Sequence, residues 1–259
     1  MLACGGFATV FDGRDKKQNC RCAIKVFHRE VADHGLARRF AQEVAALQAV
    51  VHPNVVRIYG QGETPLGVPY LVMEFVEGRT LREAIPPGGL PAKEVASLLR
   101  QAGDSLAAIH ARGICHRDLK PDNLMIRAAG PAEEKLVLID FSIAIVKSPD
   151  KTVHGLSRAA GTIQYMAPEQ AVGWADEASD IYSLAKVAME MITGQRLTEL
   201  LPEASRDLSV RVKDFLAGLP LRLSRESIDL IGGALEFDPG RRPRDAMAFA
   251  DKIAGDLDG

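Results

Sequence analysis

The stretch that most constrains this chain is His116-Arg117-Asp118-Leu119-Lys120-Pro121-Asp122-Asn123, polar at six of its eight positions. It is bounded by the short apolar runs Gly113-Ile114-Cys115 and Leu124-Met125-Ile126. A polar segment between apolar runs reads as a surface loop joining two elements, which leaves its chemistry unexplained. Asp118 can accept a proton from a hydroxyl, Lys120 can steady a transferring phosphoryl group, and Asn123 can hold a divalent metal through its amide oxygen. These are the parts of phosphoryl transfer, where catalysis is mostly positioning and charge stabilisation.

The octet resembles the catalytic loop of eukaryotic-type (Hanks-type) serine/threonine protein kinases, and supporting motifs stand in the family's order on both sides of it. The resemblance implies an α+β, two-lobed fold: a kinase domain over 1–255, with a small β-rich lobe at 1–77, a larger, mainly helical lobe at 78–255, and a tail at 256–259. Near the start, Met-Leu-Ala-Cys-Gly-Gly-Phe-Ala-Thr-Val-Phe is similar to the loop that covers ATP phosphates, with Gly5 kept and Ala3 and Ala8 at the two outer glycine positions. Alanine loses glycine's access to positive φ, so this loop is expected to be stiffer. The chain starts inside the loop, so the sheet is expected to lack its first strand, with a missing N-terminal segment favoured over a naturally short lobe.

Further along, Cys22-Ala23-Ile24-Lys25-Val26 resembles the lysine strand, and Lys25 is implied to contact the α- and β-phosphates and to pair with a helix glutamate. A helix is expected over 36–50, with Phe40, Val44, Leu47 and Val51 at spacings of three and four. Glu43 is taken as the partner on it, ahead of Glu30. Strands are expected at 55–59 and 70–75, and a long helix at 91–112. The resemblance sets Gly5, Gly6, Val10, Ala23, Met73, Glu74, Val76 and Met125 around the nucleotide, with Met73 as gatekeeper and the backbone of Glu74 and Val76 at the adenine edge. Asp140-Phe141-Ser142 is similar to the metal-binding Asp-Phe-Gly motif, so Asp140 and Asn123 are the implied metal ligands. Ser142 replaces the motif's glycine and restricts the flip that glycine permits.

The stretch from Gly161 to Glu169 resembles the end of an activation segment, with Thr162 helping to seat the substrate hydroxyl beside Asp118 and Lys120. Lys120 with Thr162 is the serine/threonine pattern. Glu169 is expected to pair with Arg242, Asp180 to brace the catalytic-loop backbone, and Leu47, Ile58, His116 and Phe141 to stack in an apolar column. Arg117 suggests a pocket for an activating phosphate on Ser157 or Thr152, with Ser148 behind them. Ala167-Pro168-Glu169-Gln170 gives the resemblance a bacterial cast.

Composition narrows the classes. With 47% hydrophobic and 25% charged residues, the chain is of ordinary globular type. A net charge of -2 gives no reason to expect nucleic acid or an anionic membrane as partner. Cys4, Cys20, Cys22 and Cys115 make neither a disulfide framework nor a zinc site, and fit reduced thiols in the cytoplasm. No apolar run approaches the roughly 18 residues of a membrane span, so this segment is not expected to contact a membrane.

The implied activity is transfer of the γ-phosphoryl of ATP, with Mg²⁺ or Mn²⁺, to protein serine or threonine hydroxyls, including self-association for autophosphorylation. A nucleotide-binding pseudokinase or scaffold is the alternative, supported by Ser142 and the altered loop. A small-molecule phosphotransferase of the same fold fits less, because such enzymes lack the 161–169 segment.

Overall fold

The computed structural model describes residues 1–5, 8–16, 19–28, 36–127, 134–141, 163–201, 208–220 and 223–259, with the backbone alone for 36–40. Among them, β1 (Ala3–Cys4), β2 (Ala8–Asp15), β3 (Cys20–Phe27), β4 (Ile58–Glu63) and β5 (Pro69–Glu74) form an antiparallel sheet in the order β1-β2-β3-β5-β4. α1 (Leu36–Gln48) packs against β4 and buries Val44 and Leu47. The sequence reading expects no first strand. β1 is nevertheless present as a two-residue stub, with Ala3 opposite Val10 and Cys4 opposite Thr9. Gly5 N–H closes the turn onto the Ala8 carbonyl at 2.9 Å. Pairing with β2 satisfies enough backbone to make these residues a strand.

A second antiparallel sheet joins β6 (Gly78–Thr80), β7 (Leu124–Arg127) and β8 (Lys135–Leu138). Glycine is required at the start of β6: a Cβ on Gly78 would lie 2.0 Å from the Ile126 carbonyl oxygen, so a side chain would push β6 off β7. Thr80 and Glu83 then cap α2 (Leu81–Ala84) reciprocally. The larger helical part contains α3 (Ala92–His110), α4 (Glu177–Thr193), α5 (Leu197–Leu200), α6 (Leu208–Ala217), α7 (Arg225–Ala234) and α8 (Ala246–Asp258). α4 starts where the Asp176 carboxylate accepts from Ser179 N–H, and every residue from Ala178 to Ile192 is buried. A helix covered all round forms the centre of its layer, and α3 and α7 pack on it.

Several expected boundaries move. α1 ends at Gln48, so Val51 lies beyond it and is 86% exposed rather than part of the apolar stripe. The strand expected at 55–59 runs instead over Ile58–Glu63, while Val55 makes an isolated bridge to Leu138. The tail expected at 256–259 is helical as far as Asp258. Asp256 accepts from Ser224 N–H at 2.7 Å, Leu257 is buried, and Asp258 pairs with Arg100 at 2.6 Å, so tertiary contacts carry α8 to its end. Among the described residues no helix is long and apolar enough to cross a membrane.

Candidate functional site

The octet folds into a loop between α3 and β7, and its shape is set from α4. Asp180, 1% exposed, accepts from the backbone N–H of His116 (2.7 Å) and Arg117 (2.8 Å) and from His110 Nε2 (2.9 Å). Gln170 Nε2 donates to the Arg117 carbonyl at 2.8 Å. These bonds hold Arg117 in the left-handed region, at φ 67°. His116 is fully buried, its Nε2 donates to the Ile139 carbonyl (2.9 Å), and its ring lies 5.1 Å from that of Phe141. Ile139 N–H donates in turn to the Asn123 carbonyl at 2.9 Å. Two bonds through Ile139 therefore staple the end of β8, and with it Asp140, to the loop. Leu47 and Ile58 are buried in the same core as Phe141.

Within the loop, Asp118 Oδ2 accepts from Lys120 Nζ (2.9 Å) and Asn123 Nδ2 (3.0 Å). Asn123 Nδ2 also donates to the Asp118 carbonyl at 2.7 Å. The second carboxylate oxygen, Asp118 Oδ1, is buried and has no hydrogen-bond partner among the described residues. A buried, unpaired carboxylate oxygen is costly unless something else fills its lone pairs.

Lys25 on β3 stands opposite Val10 of β2 and makes an ion pair with Asp140, at φ 61°. Burial alone would raise the Asp140 carboxyl, but the Lys25 ammonium outweighs it and holds the group below the ordinary carboxylate value. This overturns the expected Lys25–Glu43 pair. Lys25 bonds to Asp140, and Glu43 lies 3.9 Å from Arg117 Nη1. Ala23 and Met73 are buried cross-strand neighbours on β3 and β5. Glu74 N–H is spent on the Arg57 carbonyl (2.8 Å), and its carboxylate bonds Arg127 of β7 at 2.7 Å, tying the two sheets together. Val76 is buried and Met125 half-buried on β7. Gly5 sits in the β1–β2 turn, with 3.6 Å between a Cβ built on it and the Ala8 carbonyl. Gly6, Glu30, Ser142, Ser148, Thr152, Ser157, Gly161 and Thr162 lie outside the described residues.

Glu169 and Arg242 form the expected pair through two bonds of 2.7 and 2.8 Å, with the Arg242 side chain 0% exposed. A second, half-buried network escaped the sequence reading. Arg82 of α2 donates to Glu190 of α4, to the Tyr165 hydroxyl (2.6 Å) and to Asp122 (3.3 Å), while the Tyr165 hydroxyl donates to Glu190. Burial first, then the Glu190 bond, push the Tyr165 hydroxyl well above its ordinary pKa. The available signal was an acid at position 190 in the otherwise apolar run 187–192, because a buried charge needs a partner.

Residues 2–252 match the protein kinase domain family. The chain is 38% identical over 266 residues to the serine/threonine-protein kinase pkn2 of Myxococcus xanthus, across 98% of this chain and 31% of that protein. It is 32% identical over 263 residues to the serine/threonine-protein kinase PknA of Mycobacterium tuberculosis, across 98% of this chain and 59% of that protein. The chain thus spans less than two thirds of the length of these relatives. Among solved structures it resembles the PknI kinase domain of M. tuberculosis, with a TM-score of 0.74, 25% identity, and coverage of 99% of this chain and 94% of that one. Rad53 residues 1–466 in complex with AMP-PNP match with a TM-score of 0.68 and 25% identity, across 99% of this chain and 62% of that one.

Proposed function

This chain belongs to the protein kinase family, and we propose that it transfers the γ-phosphoryl group of MgATP to serine or threonine hydroxyls of protein substrates, its own included. The observation that carries this reading is Asp118, with one oxygen held by Lys120 and Asn123 and the other buried without a partner among the described residues. An acceptor hydroxyl donating to Oδ1 completes that oxygen's hydrogen bonding, and Asp118 takes its proton as the bond to phosphorus forms. Lys120, already on the same carboxylate, neutralises charge that develops on the transferred group.

The donor set suits a divalent metal. Asn123 spends its Nδ2 on Asp118 and keeps its amide oxygen, while Asp140 offers a carboxylate. Among the described residues no group of three or more His, Cys, Asp or Glu side chains could hold a metal. Two hard oxygen donors, completed by phosphate and water, is the way Mg²⁺ binds with nucleotides, and Mn²⁺ accepts the same ligands. Bound there, the ion screens the phosphate charges. Lys25 turns from Asp140 to the α- and β-phosphates. Ala23, Met73 and Val76 line the adenine face, Val10 covers it, and the Glu74 and Val76 backbone meets its edge.

We take residues 1–77 as the small lobe and the remainder as the large one. The four free thiols accord with a cytoplasmic enzyme. One observation favours a nucleotide-binding module without transfer: Lys25 occupies the carboxylate a metal needs.

Labelled ATP with Mg²⁺ or Mn²⁺, offered to wild type, Asp118→Asn and Asp140→Asn, separates the two readings. Transfer by the wild type that both substitutions abolish is the expected result. Thermal stabilisation by MgATP without transfer supports the second reading and sinks the first.

A further inference from the structure

Ser183, Lys186 and Glu190 lie on one face of α4, at spacings of three and four. All three are buried, and all reach the same two residues. Ser183 Oγ donates to the Tyr165 carbonyl (2.9 Å), Lys186 Nζ donates to the Gln164 carbonyl (2.8 Å), and Glu190 accepts from the Tyr165 hydroxyl. Arg82 neutralises Glu190, but Lys186 has no such relief. Among the described residues no carboxylate lies within ion-pair distance of its ammonium. It is 6% exposed, with one carbonyl and the face of Tyr182, 4.6 Å from the ring centroid. The Arg242 guanidinium stands 4.7 Å from the same centroid. Burial, and then the Arg242 charge, press the Lys186 pKa down to about 8.

A buried cation without a counter-ion destabilises a fold, and an apolar side chain of similar length avoids that cost. What the lysine supplies is directional, a charge-assisted donor aimed at a main-chain carbonyl. That carbonyl belongs to a segment that adjoins the catalytic loop, since Arg82 bonds both Tyr165 and Asp122.

We propose that Lys186 is a positioning residue for the acceptor side of the reaction: its bond to the Gln164 carbonyl fixes the backbone of residues 163–165, which Arg82 ties to the catalytic loop through Tyr165 and Asp122, and the acceptor peptide is laid along that backbone. The proposal rests on the kinase reading above. The other charged groups around Lys186 do not titrate in the mildly alkaline range. Tyr182 is pushed up to about 12 by burial, the Tyr165 hydroxyl is also raised well above its ordinary value, and Glu169 lies below its own. Lys186 is therefore the group here that loses its proton between about pH 7 and 9.5.

The test compares wild type with Lys186→Met in the full chain, using casein as acceptor. In Lys186→Met the KM for casein rises about tenfold, the size of one lost charge-assisted bond. The KM for ATP is unchanged, and the urea midpoint rises rather than falls. In wild type the casein KM climbs from pH 7 to 9.5, and in the variant it is flat. An unchanged casein KM in folded variant, or an alkaline rise that persists in it, overturns the proposal. If the variant does not fold, a flat wild-type profile does the same. If the wild type phosphorylates nothing, the kinase reading has failed, and amide exchange decides Lys186 on its own. Peptides covering 163–167 then exchange faster in the variant, and equal exchange refutes the role.

Discussion

Replacing Glu169 by Gln keeps the shape of the side chain and removes its charge, which leaves the Arg242 guanidinium as a buried cation without an anion. The size of the effect follows from the contacts. Arg242 keeps three carbonyls, those of Glu236 at 2.7 Å, Phe237 at 3.1 Å and Ala178 at 3.4 Å, but of its carboxylate bonds of 2.7 and 2.8 Å one passes to a neutral amide oxygen and the other is lost against the amide NH₂. Ser179 Oγ, 2.6 Å from Glu169 Oε1, then donates to a neutral amide oxygen. Breaking one side of a buried pair costs about 3–5 kcal/mol, a large part of a total stability of about 5–15 kcal/mol. The assay is urea unfolding at pH 7, followed by circular dichroism and by the single tryptophan. Trp174 is a local reporter, because its backbone N–H donates to the Glu169 carbonyl at 3.2 Å. Coincident transitions from the two probes establish that one free energy describes the unfolding. Asp12→Asn is the control: it breaks an exposed pair with Arg21 and should leave the midpoint unchanged. The double variant Glu169→Leu with Arg242→Met removes both charges and should recover most of the loss. A Glu169→Gln midpoint equal to that of Asp12→Asn would refute the reasoning.

The same pair sets an acid limit. Burial pulls the Glu169 carboxyl up, but bonds from Arg242 and Ser179 outweigh it and hold its pKa below the ordinary carboxylate value. Its stabilisation is therefore full above that value and is lost as pH falls through the lowered one, and the Glu169→Gln variant should lack this part of the acid limb. At the end of α4, Gly194 has φ 72°, and a Cβ there would lie 2.4 Å from Gly88 N and 2.5 Å from Gly89 N. Gly194→Ala should therefore cost more than Gly173→Ala, where φ is 87° but nothing lies within 4 Å and backbone strain of about 1 kcal/mol is the whole penalty. Equal urea midpoints would show that the close approach does not matter. Burial pushes the Cys115 thiol up to about 12, so iodoacetamide at pH 8 should label exposed Cys4 well before it. Mass spectrometry of the digest decides this, and early labelling of Cys115 would contradict its burial.

Much of the architecture was legible because its signals are local. Apolar spacings in α1 and α3 come from which face is covered, and the proline at position 53 and the glycines at 88 and 89 mark ends that any chain must respect. The octet was legible because its residue types suit one kind of chemistry, and the Glu169–Arg242 pair because the resemblance supplied it. The stub β1 was missed because two residues carry no periodicity, and only hydrogen bonds to β2 make them a strand. The helical course of 256–258 was missed because it depends on Ser224 and Arg100, far away in sequence.

The sequence by itself determined the order of strands and helices, the loop that concentrates the polar chemistry, and the family to which the chain belongs. Only the tertiary structure decided which charge meets which. Lys25 finds Asp140, 115 residues away, rather than Glu43. Arg82 gathers Tyr165, Asp122 and Glu190. Lys186 is buried against a carbonyl with no anion within reach among the described residues. The reason is physical: periodicity records which side of an element faces the core, whereas an ion pair depends on a few ångströms between elements whose separation is set only when the whole core packs.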